Sequence, residues 1–283
     1  MPRDSKFSVM RSKNIGPEVF HWRAKEELGN FGDALTVLYQ TTMLDDVCSF
    51  RSGVIHLVGS VISENRIEKS FLRSEKSSGR GQAIFWGCGK KDAKSLPRDL
   101  IRKSIFLGVR GPRTRDALDL PRNTPMGDTA LLCPRFYRPK PDSRTLGRVL
   151  WVPHVHHAAL DVAALDPSPA SVVLSPSIPN TAEACQGFID AIASARFVMA
   201  NAMHAAVIAL AYGVPFAFWT GSYVNHPFKW HDFAEGVGFE APFASSFCDG
   251  IAAYDRCRPD RAFSAWDAAP LISVCPYGLR PGL

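Results

Sequence analysis

Short apolar segments alternate with helix-like segments along this chain, and this alternation most constrains its fold. Turn residues follow each apolar segment. For example, Gly-Cys-Gly follows Ala83–Trp86. Such segments are typical of parallel strands buried on both faces. We assign strands to 54–61, 83–86, 105–109, 149–152, 171–174, 196–199 and 215–219. The order predicts an α/β protein with a doubly wound sheet, in which ligands bind outside the carboxyl ends of the strands.

Helix-like stretches occupy intervals between these segments. One follows Asp33 over 34–43, and another opens with Pro112 in its first turn and runs over 112–120. Thr181 is a candidate N-cap for a third stretch over 182–194. The stretch 204–212 is apolar on every side, which indicates a buried helix.

A segment rich in proline and arginine, Pro134–Arg148, separates two halves of similar length. It holds few aliphatic residues, and a predicted strand begins directly after it. The simplest architecture therefore has two Rossmann-like lobes facing a cleft, residues 1–140 and 141–283. The segment after Asp260 has no clear pattern, and tails in that position often cross back over the first lobe.

Composition narrows the class of protein. Apolar residues make up 46% and charged residues 21% of the chain, which argues against disorder. We find no apolar run of the ~20 residues that span a bilayer, and the basic, polar start is unlike a secretory signal. The seven cysteines lack paired spacing, which argues against a disulfide framework and a zinc site. We therefore expect a cytoplasmic protein.

The net charge of +6 favours anionic partners, namely phosphorylated substrates, acidic glycans or the anionic inner face of a membrane. Basic residues cluster at 98–115 and 135–148 without the interleaved aromatics of a nucleic-acid platform. We therefore expect no nucleic-acid partner and keep a peripheral membrane contact open.

Two glycine-containing motifs lie in the first half. Gly29–Asp33 opens a predicted helix, and its glycines allow another group to approach the backbone closely. Asn30 and Asp33 either face the cleft or cap that helix. Trp86–Gly89 ends a predicted strand, where its glycines either admit a ligand or form a tight turn.

A basic corner, Val109–Arg115, joins a predicted strand to a helix. Backbone amides at a helix start favour an anion, and guanidinium groups bind phosphate or carboxylate bidentately. Arg110, nearest the strand end, is our main candidate anion ligand and Arg113 the second; the alternative is a solvated basic face. Asp128 either orients an arginine, accepts a hydrogen bond from a sugar hydroxyl, or is a turn residue.

The second half contributes further candidates. His204 follows a strand end at the start of a buried helix, whose amides favour an anionic ligand beside the imidazole. The alternative is a structural histidine. Lys229 is a candidate phosphate ligand and Trp230 a candidate stacking surface for a sugar ring, unless this segment is only the start of an amphipathic helix.

His154, His156 and His157 suggest a metal cluster at first sight. Only two of them share a strand face, and the next carboxylate is Asp161. We expect them to line the cleft and predict no metal.

Taken in order, these motifs resemble the polysaccharide pyruvyl transferase family, most closely its succinoglycan-type ketal pyruvyl transferases. The resemblance covers about 200 residues. The motifs are NFGDAL at 30–35, HLVGSVI at 56–62, WGCG at 86–89, VRGPRTRDAL at 109–118, GDTALLCP at 127–134, AMHAAVIALAYGVPF at 202–216 and KWHDF at 229–233.

The resemblance implies a fold similar to the B-type glycosyltransferases. It implies transfer of the enolpyruvyl unit of phosphoenolpyruvate to sugar hydroxyls, as a ketal, without cofactor or metal. The acceptor is then a sugar in a lipid-linked oligosaccharide or exopolysaccharide polymer. Arg110 matches the family's donor-binding arginine, and His204 matches its motif histidine, as general acid or phosphate partner. We assign the role of acceptor-side base to Asp33 or Asp128.

The chain departs from the commoner family pattern at two positions. Ala202 stands where many members have arginine, and Ala205 where they have glycine. Lys229, or Arg113 from across the cleft, is our candidate for supplying the missing charge. A further alternative is that the protein uses a different donor substrate.

Two other functions compete with this interpretation. One is a nucleotide-sugar glycosyltransferase of the same architecture, although we recognise no nucleotide-binding pattern around Asp232 and Glu235. The other is a non-catalytic binding protein with a decayed site, which Ala202 and Ala205 suggest. Ligand binding and phosphate release separate these alternatives.

Overall fold

The computed structural model describes residues 17–21, 28–155, 170–221 and 224–282. The strands within this part of the chain are β1 (Glu18–Val19), β2 (Leu28–Asn30), β3 (Leu44–Cys48), β4 (Val54–His56), β5 (Ala83–Cys88), β6 (Ser104–Val109), β7 (Val149–Val152), β8 (Ser171–Val173), β9 (Ser177–Pro179), β10 (Phe197–Ala200), β11 (Phe216–Trp219), β12 (Phe243–Ala244) and β13 (Tyr277–Leu279). The α-helices are α1 (Phe31–Leu38), α2 (Glu64–Ser78), α3 (Arg98–Lys103), α4 (Pro112–Ala117), α5 (Ala182–Ala193), α6 (Met203–Ala211), α7 (Pro227–Val237), α8 (Phe247–Cys257), α9 (Pro259–Ala265) and α10 (Ala269–Ser273).

Two parallel sheets organise the molecule. The first has the strand order β1-β4-β5-β6, and the second has the order β12-β11-β10-β7-β8. Every strand assigned from sequence overlaps an observed strand of these sheets, which confirms the α/β prediction. The strand over 54–61 is shorter than predicted and ends at His56; Gly59 then takes a φ of +102°, which turns the chain.

The predicted helices are present with small shifts at their ends. Thr181 caps α5 as expected, because its Oγ1 accepts a hydrogen bond of 3.2 Å from the Ala184 amide. Helix α1 begins three residues earlier than predicted. Asn30 holds its N-cap position, and Asp33 lies within the first turn. The N-cap alternative for Asp33 is therefore wrong.

Two short antiparallel pairs connect distant parts of the chain. Strand β2 pairs with β9, and α1 packs on α5 with the Phe31 and Phe188 rings stacked 4.1 Å apart. Near the carboxyl end, β13 pairs with β3. One core cluster therefore combines residues from before and after position 140. The division into lobes 1–140 and 141–283 stays a prediction.

None of the helices in the described part of the chain has the length and apolar character needed to cross a bilayer.

Candidate active site

A pocket of about 240 Å³ lies at the carboxyl ends of strands from both parallel sheets. The segments that follow β4, β7 and β10 all contribute to its wall, together with α1 and α7, as expected for parallel α/β proteins. The polar or charged residues that line it are Asn30, Asp33, Ser60, Arg66, His154, His204 and Lys229. The apolar face of the wall includes Phe20, Phe31 and Met203.

His204 lies in the first turn of α6 and borders the pocket. Its imidazole packs against Gly32 of α1 so closely that a Cβ on residue 32 would overlap Nδ1. The other ring nitrogen, Nε2, lies 3.6 Å from Asp128 Oδ2. A glycine on one side and a carboxylate on the other thus hold the ring in place.

Asp128 is fully buried and supports His204 from behind. Its Oδ1 accepts a hydrogen bond of 3.1 Å from the Ala130 amide at the start of the 3₁₀ helix Thr129–Arg135. Burial raises the pKa of Asp128, but the charges of His204 and Arg110 and the hydrogen bond from Ala130 outweigh that effect, so the pKa is lowered. Because its carboxylate does not border the pocket, the prediction that Asp128 is an acceptor-side base does not fit its position.

Asp33 projects from α1 into the pocket, where it is half-buried. Burial raises the pKa of Asp33, and the nearby charges of His204, Arg66 and Lys229 only partly oppose that rise. Asn30 Nδ2 lies 3.4 Å from its Oδ2. A carboxyl with a raised pKa inside a pocket is suited to taking up and releasing a proton.

Two cationic side chains face Asp33 across the pocket. Lys229 comes from α7, and burial together with the charge of Arg110 lowers its pKa to about 8. Arg66 comes from the first turn of α2, and its guanidinium lies 4.3 Å from the centre of the Phe20 ring. Lys229 was predicted from the sequence as a site residue, whereas Arg66 was not. The signal was available, since Arg66 opens the helix after a predicted strand end.

The structure does not bring Arg110 into the pocket. Its side chain is 0% exposed and makes a salt bridge of 3.2 Å to Asp232, which is also 0% exposed. The guanidinium donates hydrogen bonds of 2.7 Å to Ser60 Oγ and 2.6 Å to the Lys90 carbonyl. It therefore lies directly behind Ser60, a pocket residue, and its predicted contact with a donor would require this packing to open.

Arg113 and Trp230 also lie away from the pocket. Arg113 forms a bidentate pair with Glu235 on the surface, with its side chain 39% exposed. Trp230 is 1% exposed and packs 4.7 Å from the Phe218 ring. A buried indole presents no face to a sugar, so the stacking prediction does not fit. The segment is the start of helix α7, as the alternative held, although Lys229 from the same turn borders the pocket.

The WGCG motif and the histidine cluster are the remaining predicted site features. Gly87 takes a φ of +65° inside β5, where the register with β6 shifts, and a Cβ there would clash with Thr129. WGCG is therefore the irregular end of a strand packed against a neighbouring segment, and not a tight turn. His154 borders the pocket, whereas His156 and His157 lie outside the described residues. Within the described ranges, no three histidine, cysteine or acidic side chains are grouped to hold a metal.

The chemistry of the pocket follows from these groups. Two cations beside a small cavity favour a small anion with more than one charged group. An imidazole and a carboxyl with a raised pKa in the same wall are suited to proton transfer. Such an arrangement is suited to binding a small anion and to proton transfer.

A comparison with known proteins finds a distant relative. No family model matches the chain. It is 24% identical over 220 residues to the succinoglycan biosynthesis protein ExoV of Rhizobium meliloti (strain 1021), an alignment that covers 77% of this chain and 64% of that protein. The aligned region therefore spans less than two thirds of the relative's length. The similarity supports a distant relationship to a protein of exopolysaccharide biosynthesis.

Proposed function

We propose that this protein is a ketal pyruvyl transferase, which transfers the enolpyruvyl unit of phosphoenolpyruvate to two hydroxyls of one sugar in an exopolysaccharide or cell-surface glycan precursor. The observation that carries the proposal is the convergence of Arg66, Lys229, His204 and Asp33 on one small pocket. The sequence similarity to a succinoglycan biosynthesis protein also supports this proposal.

The donor carries a phosphate and a carboxylate, and the pocket offers two cations to receive them. Phosphate has a charge of about −1.5 to −2 near neutral pH. Ala202 borders the pocket where many family members have arginine. Arg66 and Lys229 supply positive charge to the same space, so the substitution leaves a cationic site. We therefore assign the phosphate-binding role to Lys229 and not to Arg113, which is paired with Glu235.

Ketal formation proceeds in balanced steps. A proton adds to the methylene carbon of phosphoenolpyruvate, which becomes the methyl group and makes C2 electrophilic. A sugar hydroxyl attacks C2 and loses its proton. The C2–O bond to phosphate then breaks, and a second hydroxyl closes the ring as its proton is lost. One of the two hydroxyl protons replaces the proton consumed at the methylene carbon, and the other leaves with phosphate.

We assign His204 as the general acid or the phosphate partner and Asp33 as the acceptor-side base. Asp33 fits a base because its carboxyl borders the pocket and has a raised pKa. Asp128 would act as a positioning residue that orients the imidazole of His204 through Nε2. Proton transfer by positioned groups of this kind contributes ~10²–10⁴ in rate.

The acceptor and the location of the reaction are part of the proposal. A glycan precursor carried on a lipid would be met in the cytoplasm or at the inner face of the membrane. The net charge of +6 favours contact with an anionic surface there.

Phosphoenolpyruvate is expected to raise the melting temperature of the protein, whereas UDP, GDP and CMP are not. Binding to the folded state alone stabilises it by about 2.7 kcal/mol at a ligand concentration of 100 Kd. The second measurement is release of inorganic phosphate from phosphoenolpyruvate, which should require a glycan acceptor. Stabilisation by a nucleotide instead would favour a nucleotide-sugar glycosyltransferase. Binding of phosphoenolpyruvate without phosphate release from any acceptor would favour a binding protein.

Affinity for phosphoenolpyruvate is expected to fall as the pH rises from about 7 to about 9. Lys229, with a pKa of about 8, is charged below that pH and neutral above it, so its attraction for phosphate is lost as the pH rises. Because a single proton is coupled to binding, the affinity can fall by at most about tenfold per pH unit. Titration calorimetry should show that the affinity of Lys229→Arg does not change with pH, because arginine stays charged. The affinity of Lys229→Met should be weaker and also independent of pH. A parental affinity that does not change over this range would exclude Lys229 from the donor site.

A further inference from the structure

A second cavity, of about 540 Å³, lies beside the first on the other side of one short segment. Residues 59–61 border the first pocket, and residues 62–65, which follow directly, border the second. Helix α2 therefore contributes Arg66 to the first cavity and Glu64 and Glu68 to the second. We call this larger space the α2 cavity; its described lining is Ile62, Ser63, Glu64, Asn65, Glu68, Lys90, Lys91, Asp92, Lys94, Ser95 and Leu96.

Two residues, Arg110 and His226, lie close to both cavities. The buried Arg110 guanidinium donates one hydrogen bond to Ser60 in the wall of the first pocket and one to the Lys90 carbonyl in the wall of the α2 cavity. His226 is the residue before α7 and has a left-handed backbone, with a φ of +50°. Burial lowers its pKa, and so do the charges of Lys91 in the α2 cavity and Lys229 in the first pocket. His226 therefore lies near both spaces.

The two cavities differ in charge. Among the described residues that line the α2 cavity, three lysines are balanced by three carboxylates. A balanced wall does not favour an anion, whereas alternating donors and acceptors suit a ligand with many hydroxyls. Carboxylates accept from sugar hydroxyls, and ammonium and amide groups donate to them. The first pocket, with Arg66 and Lys229 against Asp33, favours an anion instead.

We propose that the α2 cavity binds neutral sugar residues of the acceptor glycan that are adjacent to the sugar receiving the pyruvyl group. This inference rests on the proposed function, because it needs a donor in the first pocket. A glycan seated in the α2 cavity would extend past residues 59–65 and present its hydroxyls to that donor. The protein would then prefer an oligosaccharide to a single sugar.

The test uses two tryptophan substitutions in one exposed loop. Ser95 lines the α2 cavity, whereas Ala93, two residues away and also exposed, does not. Ser95→Trp should fill part of the cavity and Ala93→Trp should leave it open. Glu68→Gln, with Glu75→Gln on the same helix as its control, removes one charged acceptor without adding bulk.

The probes are oligosaccharides released from succinoglycan by partial acid hydrolysis, with the component monosaccharides for comparison. Titration calorimetry without phosphoenolpyruvate should show that the parental protein prefers the oligosaccharides. Ser95→Trp and Glu68→Gln should weaken that binding roughly tenfold, the equivalent of one to two hydrogen bonds. Ala93→Trp and Glu75→Gln should not change it, and none of the four should change the affinity for phosphoenolpyruvate.

Three results would overturn the inference. The first is binding of oligosaccharides no tighter than of monosaccharides, and the second is equal binding by Ser95→Trp and Ala93→Trp. The third is tight binding of inorganic pyrophosphate that Lys91→Gln abolishes, which would make the α2 cavity an anion site. Failure of phosphoenolpyruvate to bind the parental protein would contradict the proposed function and would leave these glycan measurements interpretable.

Discussion

His204→Ala is expected to lower kcat for acceptor-dependent phosphate release by about 10²–10⁴, the contribution of a positioned acid or base. The imidazole borders the pocket, with Gly32 on one side and the Asp128 carboxylate on the other. Steady-state kinetics gives kcat, and thermal melting establishes that the fold persists. Because removal of the ring leaves Asp128 buried beside an empty space, His204→Gln is the second variant: it keeps a hydrogen-bond donor but cannot carry a proton.

Gly32→Ala tests the same role without altering His204. A Cβ at residue 32 would overlap Nδ1 and push the ring aside, and a small displacement of a reacting group can cost roughly 10²-fold in rate. Gly29→Ala is the matched control, since the nearest atom to its Cβ would be at 3.8 Å. Near-parental kcat in both His204→Gln and Gly32→Ala would remove His204 from the mechanism.

Arg110→Ala is expected to lower the free energy of unfolding by about 3–5 kcal/mol, because it leaves the Asp232 carboxylate buried without its cation. The buried carboxylate also accepts hydrogen bonds from the Thr114 amide and hydroxyl, so the change would loosen the contact between α4 and α7. Urea unfolding followed by circular dichroism measures the loss. Arg113→Ala is the control, since its exposed pair with Glu235 contributes about 0–1 kcal/mol.

The double variant Arg110→Met/Asp232→Leu separates a buried ion pair from a donor ligand. Replacing both partners by apolar groups should cost less stability than removing the arginine alone. If Arg110→Ala instead unfolds at the parental urea concentration but loses affinity for phosphoenolpyruvate, the guanidinium reaches the donor. The role first predicted for Arg110 would then be correct.

Local patterns in the sequence predicted most of the fold. Seven of the nine described strands in the two parallel sheets were visible, because a buried strand is apolar over its whole length and turn residues follow it. The two-residue strands β1 and β12 were missed. Thr181 was recognised as a cap because a threonine directly before a helical stretch is a local N-cap signal. Short pairs such as β2 with β9 and β13 with β3 were not predicted, because strands of three to five residues that join distant segments leave no clear periodic signal.

The α/β class followed from the sequence, which also pointed to His204, Asp33 and Lys229, each close to the end of a strand or the start of a helix. All three border the pocket. Which cations face the pocket depends on tertiary contacts that the sequence does not display. Arg110 and Arg66 both follow strands of the first sheet, but α7 packs over Arg110 with Asp232 and buries it, while α2 turns Arg66 into the open space. The direction of a side chain depends on which helix packs against it, and that contact joins residues far apart in the chain.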